Sequence, residues 1–101
     1  MADNPNYPLS TATISWIDSS SNLHIRVYSC DGYNVIERCS DTGGSGWTAG
    51  SFSQSGNQVS ATVWQTSAGV YIRVYCTEND ATTEWCADPG SSWYKGAYTT
   101  N

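Results

Sequence analysis

The stretch "IRVY" at residues 25–28 returns unchanged at residues 72–75. Strand alternation puts Leu23, Ile25 and Val27 on one face and His24, Arg26 and Tyr28 on the other. A guanidinium set among apolar strand residues is costly unless a partner or a ligand meets it. The whole chain has only four Lys and Arg residues. Two of them at one repeated motif therefore need a physical reason.

The copies extend well beyond four residues. "IRVYSCDGYNVIERCSDTGGSGWTAGSF" at 25–52 runs beside "IRVYCTENDATTEWCADPGSSWYKGAY" at 72–98. Arg26 recurs as Arg73, Glu37 as Glu84 and Cys39 as Cys86, each 47 residues on, and Trp47 recurs as Trp93, 46 on. Upstream, "ATISW" matches "ATVWQ", with Trp16 against Trp64. The chain is a tandem duplication. An N-terminal arm, 1–10, precedes a first unit at 11–56 and a second at 57–101.

Each unit reads as four short strands: 11–16, 23–30, 34–40 and 47–52, then 58–65, 70–76, 82–87 and 93–98. Turn-rich segments "DGYN", "TGGSG", "QSGNQ" and "DPGSS" separate them. Connections this short join antiparallel neighbours, so each unit is a meander. Repeats of about 40–50 residues with four strands are the signature of β-propeller blades. The expected fold is all-β, with two four-stranded antiparallel blades per chain. Two blades leave open sheet faces and cannot close a ring, so the chain should assemble. Two, three or four copies would give four, six or eight blades.

Composition agrees. Five Trp, seven Tyr, nine Gly and 13% charged residues in 101 suit β-strands and polar turns, and no segment keeps a 3.6-residue period. A net charge of −5 argues against nucleic acid, whose binding needs a basic face. No stretch approaches the about 18 apolar residues of a membrane helix. The start, "MADNPNYPLSTA", lacks the basic and apolar regions of a signal peptide. The expectation is a soluble protein, cytoplasmic or exported by a non-classical route. Cys30, Cys39, Cys76 and Cys86 read as buried free thiols. Each hairpin sets its own two cysteines several pairs apart, too far to bridge. One His and no C-x₂-C pair disfavour zinc, and no cofactor is implied.

The hairpin turn near Asp31–Asn34 pairs Tyr28 with Glu37 and Arg26 with Cys39. Arg26 and Glu37 become diagonal neighbours on one face, and Arg73 and Glu84 repeat the spacing of eleven. One reading is an ion pair that pins register. Another is a sugar site, in which an arginine donates, a glutamate accepts and an indole meets the sugar's C–H face. Trp16 and Trp64 lie in apolar strand patterns and read as core. Trp47 and Trp93 follow Gly- and Ser-rich loops and read as exposed at a blade edge. Asp41 and Asp88 read as turn residues.

At these residues the chain resembles the fucose-binding β-propeller lectins of the Aleuria type, and among them the short two-blade members from Ralstonia and Burkholderia. The matching segments are "TATISW", "HIRVY", "VIERC", "GNQVSATVW", "YIRVY", "TTEWC" and "WYKGAYTTN", which span 11–101. The resemblance implies a homotrimer that completes a six-bladed propeller, with L-fucose and fucosylated oligosaccharides bound between blades. The first site, within a protomer, would use Arg26, Glu37, Ser51, Ala87 and Trp93. The second, between protomers, would use Arg73, Glu84 and Ala97 with Ser40 and Trp47 of the neighbour. The chain departs from the short members at Ser40 and Ala87, where they carry a second aromatic after the repeat cysteine. Each pocket then lacks one aromatic wall, unless a neighbour such as Tyr94 refills it. A structural propeller without sugar binding, or a glycosidase, are the alternatives. Hydrolysis ordinarily needs two carboxylates about 5–10 Å apart, and each site offers one glutamate.

Overall fold

The alternating pattern around each IRVY produces long central strands in the computed structural model, which describes residues 8–44 and 46–100. The first sheet is β1 (Ser10–Ile17), β2 (Leu23–Cys30), β3 (Asn34–Asp41) and β4 (Trp47–Ser55), in that order. The second is β5 (Gln58–Thr66), β6 (Gly69–Glu78), β7 (Ala81–Ala87) and β8 (Tyr94–Lys95). Both are antiparallel meanders, the form expected of propeller blades. No helix among the described residues is long and apolar enough to cross a membrane. Of the expected arm, residues 1–7 lie outside the described residues. Leu9 N–H donates to Cys30 O at 2.7 Å, and Ser10 already belongs to β1.

Turn chemistry fixes the register. Asp31 Oδ1 accepts the N–H groups of Tyr33 and Asn34, and Gly32 takes φ +99°. The β2–β3 hairpin consequently pairs Tyr28 with Glu37 and Arg26 with Cys39. In the second sheet Asn79 and Asp80 both adopt positive φ, as a two-residue hairpin turn requires, and Tyr75 pairs with Glu84.

The sheets pack face to face through Tyr28, Cys30, Val35 and Phe52 of the first and Ile72, Val74 and Cys76 of the second. Val59 N–H donates to Ser10 Oγ and Gln65 Nε2–H to Ile17 O, tying the inner strands β1 and β5. All four cysteines are free thiols, Cys39 half-buried and the others buried. The IRVY face that carries Arg26 looks into this interface. Its repeat counterpart, carrying Arg73, looks out of it, because Ile72 and Val74 point inward. The pair of sheets thus has one closed interface and two open faces.

The outer strands depart from expectation. The eighth strand, expected at 93–98, pairs with β7 only over Tyr94–Lys95. Beyond Lys95 the chain bends around Glu84: Gly96 N–H donates to Glu84 O at 2.8 Å, and Tyr98 N–H to Glu84 Oε1 at 3.1 Å. The first sheet does the same at Glu37, where the β3–β4 register shifts between Ile36 and Arg38. An irregularity in the β3–β4 ladder makes room for Glu37, and the bend after β8 makes room for Glu84.

Candidate functional site

A cleft of about 540 Å³ opens between the two sheets. Arg26, Glu37, Ser51, Ala87 and Trp93, the five residues expected of the first site, all line it. β2 carries Arg26, β3 Glu37 and β4 Ser51, while the second sheet contributes Ala87 at the end of β7 and Trp93 from the following loop. Ile72, Ser91 and Ser92 complete that wall.

Arg26 does not pair with Glu37. Its Nη1 donates to Ile25 O at 3.0 Å and to Asp41 Oδ1 at 2.8 Å. Two carboxylates lie diagonal to Arg26 on this face, because Tyr28 stands opposite Glu37 and His24 opposite Asp41. The Tyr28 hydroxyl takes Glu37, donating to Oε2 at 2.6 Å, which leaves Asp41 for the arginine. The Arg–Glu ion pair of the register-pinning reading does not form; an Arg–Asp pair stands in its place, and Asp41, read as a turn residue, is the arginine's anchor. The second sheet repeats this: Arg73 Nη1 donates to Asp88 Oδ1 at 2.8 Å and Tyr75 OH to Glu84 Oε2 at 2.7 Å. Among the described residues, Nη1 is the one guanidinium nitrogen of Arg26 with a hydrogen-bond partner. Nε–H and the Nη2 pair remain as uncommitted donors.

Glu37 is 5% exposed. Phe52 N–H donates to its Oε1 at 3.3 Å, and Gly50 permits the approach. A Cβ at Gly50 would stand 2.0 Å from Glu37 Oε1, and one at Gly96 2.1 Å from Glu84 Oε1. Burial, with Glu37 beside it, pushes the Tyr28 phenol far up, so it remains a donor. Around Glu84, the Tyr75 hydroxyl and then the Tyr98 N–H hold the carboxyl below its ordinary value. Trp93 packs edge-on against Phe52, centroids 4.7 Å apart, and against Tyr28 at 6.4 Å, which holds the indole at the cleft wall.

Of the two tryptophans expected in the core, Trp16 is half-buried and packs against the core cluster, whereas Trp64 is 43% exposed and lies outside it. They lie on the sheet-edge strands β1 and β5, where an arginine from the next strand covers each ring. The guanidinium carbons of Arg26 and Arg73 sit 4.9 Å from the ring centroids of Trp16 and Trp64.

The five residues of the second expected site stand apart in a single chain. Arg73 and Glu84 lie on the open face of the second sheet, and Ala97 lies in the segment that follows β8. Ser40 and Trp47 pair with each other at the edge of the first sheet, and Trp47 is 48% exposed. Tyr94 does not refill the wall left by Ala87. It is absent from the cleft lining, and its hydroxyl donates to Asp88 Oδ2. That bond, then Arg73, keeps the Asp88 carboxyl low, and it raises the Tyr94 phenol to about 12.

Sequence reasoning missed Asp41, Tyr28 and Gly50, with their counterparts Asp88, Tyr75 and Gly96. The duplication carried the signal: Asp41 and Tyr28 recur 47 residues on and Gly50 recurs 46 on, the offsets of the Arg, Glu and Trp positions.

The cleft offers fixed cationic donors, one buried anionic acceptor, serine hydroxyls and an indole. That set suits a neutral polyhydroxylated ligand with one apolar face. The family model described as fungal fucose-specific lectin matches residues 6–101 of this chain. No curated protein matches it.

Proposed function

The chain belongs to the fungal fucose-specific lectin family, a family of carbohydrate-binding proteins, and from that premise we propose that it binds L-fucose and fucosylated glycans at the cleft between its blades. The observation that carries this reading is the meeting of Arg26, Glu37, Ser51, Ala87 and Trp93 around one cavity, three from the first sheet and two from the second. The free guanidinium donors and the Glu37 carboxylate would bridge neighbouring hydroxyls, at about 1.5–3 kcal/mol per charged hydrogen bond. Trp93 would take the sugar's C–H face. Glu37 is the one carboxylate among the described residues lining the cleft, which favours binding over hydrolysis.

The second site is proposed to form between protomers, Arg73, Glu84 and Ala97 of one meeting Ser40 and Trp47 of the next. Support comes from matching open faces. Tyr28, Val74 and Phe52 are almost fully buried at the interface within the chain. Their counterparts Tyr75, Val27 and Tyr98 are half-buried or exposed on the open faces. A second copy docked head to tail would repeat the internal interface and cover them, and such contacts continue until a ring closes. Three copies give six blades and six sites. Presented on one surface, these would raise apparent affinity by about 10²–10⁴-fold where the glycan spacing fits.

Calorimetric titration with L-fucose tests the reading. The expected stoichiometry is two sugars per chain, abolished in Arg26→Ala/Arg73→Ala with the assembly intact. A folded double variant that binds fucose as well as the parent would place the sugar elsewhere.

A further inference from the structure

The two arginines are held by different second layers. Asp41 Oδ1 accepts from Arg26 Nη1 at 2.8 Å and also lies 2.6 Å from His24 Nδ1. The other ring nitrogen, Nε2, is 2.9 Å from Asp18 Oδ2. Asp18 is itself fixed in the β1–β2 turn, where its Oδ1 accepts the N–H groups of Ser20 and Asn22. A continuous chain therefore runs from the turn through Asp18, His24 and Asp41 to the sugar-facing arginine. His24 also stacks on Trp16, centroids 5.1 Å apart and planes within 15°, which leaves the ring little freedom to turn away.

His24 is met by Asp18 from the turn, Asp41 from β3 and Arg26 from its own strand, while β1 supplies the uncharged Trp16 ring. Two carboxylates against one guanidinium leave a net negative surrounding that favours the imidazolium ion. Only the doubly protonated ring donates to both carboxylates. The neutral ring satisfies one and turns a lone pair on the other. The hydrogen bonds to Asp18 and then Asp41 raise the His24 titration point above its ordinary value. In the second blade this position is Tyr71, stacked on Trp64, and Asp88 is held by the Tyr94 hydroxyl instead. That arrangement contains no histidine.

We propose that His24 is a positioning residue of the first site: its imidazolium ion clamps Asp41 and thereby Arg26, so that sugar binding there is coupled to a proton the second site does not use. This rests on the sugar-site reading given above. The sign follows from linkage. Binding at the first site is strongest below the His24 midpoint and weakens as pH rises through it, and bound sugar must in turn raise that midpoint.

His24 is the only histidine of the chain, so its ring protons are assigned without ambiguity in an NMR titration. With and without saturating L-fucose, the expected result is an upward move of the midpoint by about 0.7 pH unit, matching about a five-fold loss of first-site affinity on the alkaline side. Calorimetry on Arg73→Ala, in which the first site alone remains, should reproduce that loss. His24→Tyr, the residue of the second blade, should flatten it. An unmoved His24 midpoint in a protein that binds fucose overturns the coupling and leaves the sugar site standing. Absence of fucose binding at every pH removes the sugar site and this inference with it.

Discussion

Ala87 lines the first cleft, paired across the ladder with Ile72. Its methyl group leaves the wall beside Trp93 to Ile72, Ser91 and Ser92. A second ring there would add one aromatic contact to the sugar, of about 0.5–1.5 kcal/mol. Ala87→Trp is therefore expected to tighten L-fucose binding at the first site by about two- to ten-fold, measured by calorimetry in the Arg73→Ala background. Unchanged or weaker binding would mean that Ile72 and the serines already close the wall. The five lining residues were legible in the sequence because the duplication and the family resemblance marked them. The arginine's partner was not. Register alone leaves Glu37 and Asp41 equally diagonal to Arg26, and the choice is made by the Tyr28 hydroxyl, whose hydrogen-bond partner strand alternation does not give. Likewise the tryptophans of β1 and β5 sit in apolar runs, and a covering guanidinium from the adjacent strand is invisible to such a pattern.

The glutamates depend on an element-scale device, the glycine-bearing outer segment that leaves regular pairing beside each of them. Between Ile36 and Arg38 the β3–β4 ladder loses register, and Gly50 passes directly over the Glu37 carboxylate. Gly96 passes over Glu84 in the same way. Any side chain at either position must displace the carboxylate from Tyr28 or Tyr75, or push the outer strand off the sheet. Gly50→Ala is expected to cost about 3 kcal/mol in urea denaturation and to remove first-site binding, while sparing the second. Gly96→Ala should do the reverse. A Gly50→Ala protein of parental stability would show that the strand moves freely and that the bulge does not hold Glu37. The central strands were readable because short Asx and Asn-Asp turns leave one register each. The end of the second sheet was not, since pairing there yields to the half-buried Glu84 carboxylate, around which the chain bends. The eighth strand accordingly stops at Lys95 instead of 98.

At the scale of the whole molecule, the duplication makes each chain both a lock and its key. The face of the first sheet that closes on the second has its copy on the second sheet's open side. Phe52, at 2% exposure, and Tyr98, at 48%, occupy equivalent places on these two faces. If a neighbouring protomer covers Tyr98 as the second sheet covers Phe52, a charge at that position should matter little to the isolated chain and much to the assembly. Exposed substitutions ordinarily change stability by within about 0.5 kcal/mol, whereas a carboxylate without a partner at a closed interface is strongly unfavourable. Sedimentation equilibrium of the parent is expected to give a mass of about 33 kDa, three times the 11.0 kDa chain. Tyr98→Asp should sediment as a folded single chain that keeps the first site and loses the second, halving the fucose stoichiometry. A parent that sediments as a monomer would rule out the inter-protomer site. A Tyr98→Asp variant that remains a trimer would put the contact between copies on some other face.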